Sequence, residues 1–273
     1  MTSPSRSARR LASGLRSRAV DLVDRWRGEQ PLEERTAEAR DYWADTSDEE
    51  WSANSHWREG LGDEAWFEVG REHLRLHDLA ANALGHSLTP DVVVEWGCGG
   101  GANAVAFAPR TRRFVAADVS EASLAECERQ VAAECAAPVE QRLIDIARPE
   151  AAAAGLQGAC ELFLCLYVIE LTAGREEALR IMRIAADLLS PTGMALVQVK
   201  YHTADRRTRG RGRDYRRHLA SMTTFGIDEF WTLVREECGL EPRLVVLVPE
   251  NRLDRRYAYY ALTLPDDGAA QAR

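Results

Sequence analysis

The 273-residue sequence has no apolar run longer than Leu162 to Ile169, far short of the roughly 20 residues that a membrane-spanning helix needs. It has no Cys-x-x-Cys pair: Cys98, Cys127, Cys135, Cys160, Cys165 and Cys238 are scattered, which argues against a zinc site, and a chain this long needs no disulfide staples. Its N-terminus has no apolar stretch able to serve as a secretory core, although seven arginines precede Gln30. Those absences point to a cytoplasmic protein with no bound metal. Positive charge is also short overall, with a net charge of -8, which argues against broad nucleic-acid binding.

Residues 1 to 30 are basic, and the loose spacing of Leu11, Leu15, Val20 and Val23 suits an amphipathic helix or partial disorder. Residues 31 to 88 read as a helical cap rich in tryptophan (Trp43, Trp51, Trp57, Trp66), broken around Ser52 to Gly62. From 89 to 265 short apolar runs alternate with amphipathic stretches, the pattern of a parallel sheet with crossover helices. Strands are expected at Val92–Val94, Phe114–Asp118, Val139–Ile146, Leu162–Tyr167 and Met194–Tyr201, with a closing pair at Leu244–Val248 and Tyr257–Leu264. Helices are expected at Glu121–Ala136, Glu176–Leu189 and Ile227–Cys238, the second stopped by Ser190-Pro191-Thr192-Gly193. Residues 266 to 273 form a tail. The fold class is α/β: a doubly wound, mostly parallel seven-stranded sheet with an antiparallel last strand and a helical N-terminal cap.

The strongest chemical signal is Val92-Val93-Val94-Glu95-Trp96-Gly97-Cys98-Gly99-Gly100-Gly101-Ala102, a strand running into a glycine turn and then a helix. Such a turn lets backbone N–H groups approach a ligand closely. Asp118, ending the next strand, suits ribose hydroxyls. Gly97, Gly99 and Ala102 could cradle a dinucleotide pyrophosphate; Glu95, Gly97, Gly99 and Gly101 equally fit S-adenosylmethionine. Glu95 favours the second, because its carboxylate suits the ammonium of an amino-acid cofactor and repels a pyrophosphate.

With these motifs, residues 91 to 200 resemble the core of a class I S-adenosylmethionine-dependent methyltransferase of the Rossmann-like superfamily. The resemblance implies a cofactor site of Glu95, Gly97, Cys98, Gly99, Gly101 and Asn103, with Asp118 on the ribose and Val119 beside the adenine. It implies Asp145 on the adenine amino group with Ile146 next to it, and Leu166 and Tyr167 at the methionine end. S-adenosylhomocysteine would be the product. The chain departs from the small-molecule enzymes of the family in having Glu170-Leu171 where many carry a Glu-His pair, so a histidine base is missing there.

Methyl transfer needs alignment, exclusion of water and, for some acceptors, a base. The base candidates are His202, directly after the fifth strand, and His56 in the cap; Tyr167 could orient the acceptor or hold the sulfonium with its ring. His73 and His77, four apart, have the spacing of a metal pair but no evident third ligand, and read as packing histidines. Seven arginines lie in the twelve residues Arg206 to Arg217, which suggests an anionic acceptor. Trp57, Arg58, Tyr201, Arg213 and Tyr215 are the candidate acceptor contacts. The acceptor is expected to be a small anionic molecule offering an oxygen or nitrogen nucleophile, such as a natural product, a sugar or a peptide carboxylate. Nucleic acid is disfavoured, and a homodimer is compatible with the chain. The competing readings are an RNA or protein methyltransferase using the arginine loop, a catalytically silent cofactor-binding module and, more distantly, a nicotinamide oxidoreductase.

Overall fold

The computed structural model describes residues 28–135, 137–250 and 255–266. The amphipathic helix expected near Leu11 to Val23 and all but the first residue of the expected tail lie outside them.

Four helices build the region read as the cap: α1 (Leu32–Ala44), α2 (Trp51–Asn54), α3 (Arg58–Leu61) and α4 (Asp63–Leu84). Pro31 precedes α1, and Glu33 and Glu34 occupy its first turn, where the helix dipole favours negative charge. Asp63 and Glu64 do the same for α4, which ends at Gly85 in the left-handed conformation. The sheet comprises β1 (Val92–Trp96), β2 (Arg113–Asp118), β3 (Val139–Leu143), β4 (Cys160–Cys165), β5 (Leu189–Lys200), β6 (Glu241–Leu247) and β7 (Tyr257–Thr263). The helices between them are α5 (Ala102–Phe107), α6 (Glu121–Glu134), α7 (Arg175–Leu188), α8 (Tyr215–His218) and α9 (Ile227–Glu237). Among the described residues no helix is long and apolar enough to cross a membrane.

The strand order is β3-β2-β1-β4-β5-β7-β6, with β7 antiparallel to both of its neighbours and β1 to β5 paired in parallel. The expected α/β class and antiparallel last strand are therefore observed. Successive residues of the central strands feed opposite cores. Val94 and Phe163 face one core, with Met182, Ile184, Phe230 and Val234 of α7 and α9. Val93, Leu162 and Leu164 face the other, with Leu76, Phe107, Leu124 and Val131 of α4, α5 and α6. Burial on both faces explains why these strands read as continuous apolar runs.

Several boundaries differ from expectation. The segment Ser190-Pro191-Thr192-Gly193 does not precede β5 but lies within it, bulged out between the pairs Cys160↔Leu189 and Leu162↔Met194. The third and fourth strands end earlier than expected, at Leu143 and Cys165, so Tyr167 lies beyond its strand.

The strand order reverses between β1 and β4, the switch point at which an open α/β sheet leaves a crevice. The long helix α4 crosses α5 beside it at Gly70, where a Cβ would come within 2.2 Å of the Ala102 carbonyl oxygen. Gly70→Ala should therefore push α4 off α5. The strain outweighs the gain in helix propensity, for a net loss of roughly 1–2 kcal/mol in urea unfolding; an unchanged midpoint would contradict the close crossing.

Candidate active site

A partly enclosed cavity of about 170 Å³ opens at the switch point, over the carboxyl ends of β1, β2 and β4. Its floor is the glycine turn. Gly97 and Gly101 have φ of 82° and 86°, values open to glycine at little cost. The turn is pinned to the sheet by the Gly97 N–H donating to the Ala117 carbonyl at 2.7 Å. From above, the turn after α2 presses onto it: the Gly100 N–H donates to the Ser55 carbonyl at 2.8 Å, and a Cβ on Gly99 would stand 2.3 Å from that same oxygen.

Glu95 and Asp118 bring two carboxylates into the cavity wall. Glu95 is 1% exposed; its Oε1 accepts from Asn103 Nδ2 at 2.7 Å, while its Oε2 is buried with no partner. Burial, reinforced by the Asp118 charge and only partly offset by Asn103, pushes the Glu95 carboxyl up to about 8. Asp118 accepts from the backbone N–H groups of Gly99 and Ser120, each at 2.9 Å. Burial nevertheless raises it to about 6. The hydroxyl of Ser55, also in the wall, is a second buried polar atom without a partner. A buried carboxylate oxygen with nothing to bind is costly, and its natural complement is a cation bearing N–H donors.

The remaining wall comes from Val119, Ile144, Ile146, Leu166, Tyr167 and Val168, while α1 contributes Thr36, Ala39 and Trp43. His56 and Tyr167 both reach the cavity from strained backbone, with φ of 52° and 57°, and their rings meet edge to face at 4.6 Å. Non-glycine residues in that region cost about 1–3 kcal/mol each and cluster at functional sites. Behind Tyr167 runs a buried polar chain. Its N–H donates to Gln198 Oε1 at 2.6 Å, Gln198 Nε2 donates to the Tyr259 hydroxyl at 2.8 Å, and that hydroxyl is 3.3 Å from His73 Nε2. His73 Nδ1 meets Asn103 Oδ1 at 2.8 Å, which closes the chain back onto Glu95. His73 is thus a hydrogen-bonded core residue. His77 is likewise buried beside Asp78 at 3.1 Å, and burial lowers its pKa.

Of the residues expected at a cofactor site, Glu95, Gly97, Cys98, Gly99, Asn103, Asp118, Val119, Ile146, Leu166 and Tyr167 all line this cavity. Gly101 does not; it packs on α6, where a Cβ would lie 2.9 Å from Cys127 Cα. Asp145 is also outside the lining, its carboxylate taken by the Ala147 N–H at 3.0 Å and Arg148 Nε at 3.2 Å.

The expected catalytic and acceptor residues are more widely dispersed. His56 and Tyr167 reach the cavity, whereas His202 lies outside it, 3.8 Å from Glu229 and 3.3 Å from Thr224. The sheet order explains this, because the end of β5 is separated from β1 by β4. Arg58 is a clasp, with Nε 2.8 Å from Asp63 Oδ1 and Nη1 ion-paired to Glu134 of α6. Trp57 stacks edge-on against Trp51 at 5.3 Å, and Tyr201 bridges to Phe225. Arg213 lines neither this cavity nor the neighbouring cleft. Tyr215 does line the cavity, held by donating to the Leu171 carbonyl at 2.6 Å and accepting from Trp43 Nε1 at 2.8 Å. None of the arginines from 206 to 217 reaches the cavity; Arg216 instead grips Asp48 and Asp45 of the cap at 2.8 and 2.9 Å. Sequence reasoning missed Ser55, Thr36, Ala39, Val69 and Glu177 in the wall, small or ordinary residues whose roles depend on how the cap lies over the sheet.

Residues 93–193 match the family described as "Methyltransferase domain". Solved structures share the fold at low identity. A Leishmania major S-adenosylmethionine-dependent methyltransferase is 15% identical, with a TM-score of 0.59 over 84% of this chain and 83% of that one. The magnesium protoporphyrin IX methyltransferase of Synechocystis PCC 6803, solved with bound S-adenosylhomocysteine, is 16% identical with a TM-score of 0.58, covering 83% and 98%. The N-methyltransferase NodS of Bradyrhizobium japonicum, in complex with S-adenosylhomocysteine, is 17% identical with a TM-score of 0.54, covering 80% and 100%. No curated protein is significantly similar in sequence.

The raised Glu95 carboxyl has a measurable consequence for the ligand-free protein. The folded chain holds that proton more tightly than the unfolded one, so the associated stability is complete below the ordinary value of 4.5 and is lost as pH rises towards about 8. Asp118 adds the same trend between 3.8 and about 6. Glu95→Gln keeps an acceptor for Asn103 and removes the ionisation. Between about pH 5 and about pH 8 its melting temperature should fall less than that of the parent, which loses up to about 1.4 kcal/mol per pH unit through this group. Parallel curves would contradict the assignment.

Proposed function

We propose, for a chain whose residues 93–193 match the methyltransferase-domain family, that the chain is a class I S-adenosylmethionine-dependent methyltransferase whose cavity binds S-adenosylmethionine and a small acceptor together. The methyl group then passes to an oxygen or nitrogen nucleophile of that acceptor. The observation that carries the cofactor reading is the unpartnered Glu95 Oε2 in the cavity wall. An amino-acid ammonium would complete its hydrogen bonding and restore its charge, whereas a dinucleotide pyrophosphate would meet two carboxylates. Asp118, fixed by two backbone donors, keeps lone pairs for ribose hydroxyls. Val119, Ile144 and Ile146 offer apolar surface to an adenine. When bound, the sulfonium supplies a methyl group that is already activated.

The chain's own residues then orient and dehydrate. The cap closes the cavity with Thr36, Ala39, Trp43 and the turn at Ser55 and His56, which supports a small acceptor over a macromolecule. The placement of Arg216 on Asp45 and Asp48 supports the same choice, because it spends part of the arginine loop on holding the cap. His56 is the residue best sited to take a proton from the acceptor at a ring nitrogen, and Tyr167 holds the His56 ring in place through their edge-to-face contact.

Incubation with methyl-labelled S-adenosylmethionine and a fractionated cell extract tests this reading. Label should enter the small-molecule fraction, and His56→Ala should slow its transfer about 100-fold, the usual worth of a positioned base, while leaving S-adenosylhomocysteine affinity within about twofold. Label confined to RNA or protein would overturn the small acceptor, and a full rate in His56→Ala would remove the histidine from the chemistry.

A further inference from the structure

Beside the enclosed cavity lies a second, more open cleft of about 590 Å³. It is framed by the start of α1, the turn entering α7 and the strap from Arg209 to Gly226. Two charged side chains in its wall each have one buried polar atom without a hydrogen bond. Arg35 is only 9% exposed, and its Nε is buried with no hydrogen bond. The ion contact of its guanidinium is a loose one, 3.6 Å to Glu29, whose side chain is 73% exposed. Glu177 lines both the cleft and the enclosed cavity, and its Oε2 is likewise buried without a partner.

These two groups face one small space. A Cβ placed on Gly174 would stand 3.1 Å from Glu177 Oε2 and 3.7 Å from Arg35 Nη2, and Gly212 on the far side brings its own Cβ position within 3.0 Å of Arg35 Nη1. Both positions are glycine, which leaves the space bordered by the Leu32 methyl, 3.1 Å from the first position, and the Glu29 side chain, 2.8 Å from the second. Among the described residues no ion pair joins Arg35 to Glu177. Each side chain has an opposite charge on its outer side, Glu29 at 3.6 Å from Arg35 and Arg180 near Glu177, but the buried Nε and Oε2 atoms that face inward have no hydrogen bond, which is costly. A pair serving only the fold would close on itself.

We propose that Arg35 and Glu177 form a recognition site for a zwitterion of the amino-acid class, with Arg35 receiving the carboxylate in a two-pronged contact and Glu177 receiving the ammonium. Because Glu177 is shared by the two spaces, a ligand anchored there extends towards the enclosed cavity. Calling this ligand the methyl acceptor rests on the function proposed above; its binding does not. The site puts the anion-binding fork on a helix of the cap, with Arg209 of the 206–217 loop in the same cleft wall.

Calorimetric titration of the full chain tests the proposal, using each protein amino acid as a probe, together with its carboxylate-only and amine-only analogues and inorganic phosphate. At least one amino acid should bind about tenfold or more tightly than either analogue and than phosphate. Arg35→Gln and Glu177→Gln should each abolish that preference. The melting temperature of Arg35→Gln should change little, since the ion contact it removes is a loose one to the exposed Glu29, whereas loss of an ion pair that holds the fold would lower it. Should Arg35→Gln fail to fold, Arg35→Lys keeps the charge without the fork and should still weaken binding about tenfold. Absence of amino-acid binding, binding unchanged in the variants, or phosphate bound as tightly as the zwitterion would each overturn the proposal. A parallel titration with S-adenosylhomocysteine separates the two readings: its failure counts against the methyltransferase cavity, while the amino-acid arm still decides the cleft.

Discussion

The contact between two turns organises this protein. The glycine turn after β1 can rise towards the cap because it carries no side chains, and the turn at Ser55 to Trp57 descends to meet it, backbone against backbone. A side chain at Gly99 or Gly100 would collide with main-chain atoms of Ser55, His56 or Trp57, so the separation of cap and sheet is set by the thinnest chain possible. That spacing determines the height of the enclosed cavity and brings His56 over Tyr167. The Arg58 clasp to Asp63 and Glu134 and the Arg216 grip on Asp45 and Asp48 hold the same arrangement from two other sides.

Inside that enclosure electrostatics replace geometry as the controlling factor. Two carboxylates near each other in a dry wall cannot both ionise at low cost, and Glu95, with the fewer hydrogen bonds, holds its proton to the higher pH. The polar chain from Glu95 through Asn103, His73, Tyr259 and Gln198 to the Tyr167 backbone joins the two ends of the cavity. The links from Glu95 to Gln198 are buried and only the last, at Tyr167, is partly exposed, so a change of protonation at Glu95 acts on a network that water compensates little.

Much of the fold was legible in the sequence because its signals are local. Val92–Val94 and Phe114–Asp118 are dense apolar runs, and the Glu95-to-Gly101 motif follows its strand directly. The cavity wall was readable for the same reason, since Glu95, Asp118 and Leu166 each sit at or next to a strand's carboxyl end. Asp145 stands outside the lining, and the sequence did not show that its own neighbours, Ala147 and Arg148, would hold its oxygens. His202 lies in the wall of the second cleft rather than in the first cavity, a placement the sequence did not show because adjacency to β5 carries no information about strand order, and β4 stands between β5 and the switch point. The roles of Thr36, Ser55, Arg35 and Glu177 depend on how α1 and the Ser55 turn are laid over the sheet, which no periodicity encodes. The bulge at Ser190 to Gly193 resembles a helix stop because proline and glycine mark both.

The cofactor assignment to Glu95 is tested most directly by titrating the protein with S-adenosylhomocysteine at pH 7 in two buffers of different ionisation heat. A carboxyl raised to about 8 must give up its proton to pair with an ammonium, so binding should release about one proton in the parent and almost none in Glu95→Gln. Binding without proton release, or preference for NADH over the sulfur nucleoside, would contradict it.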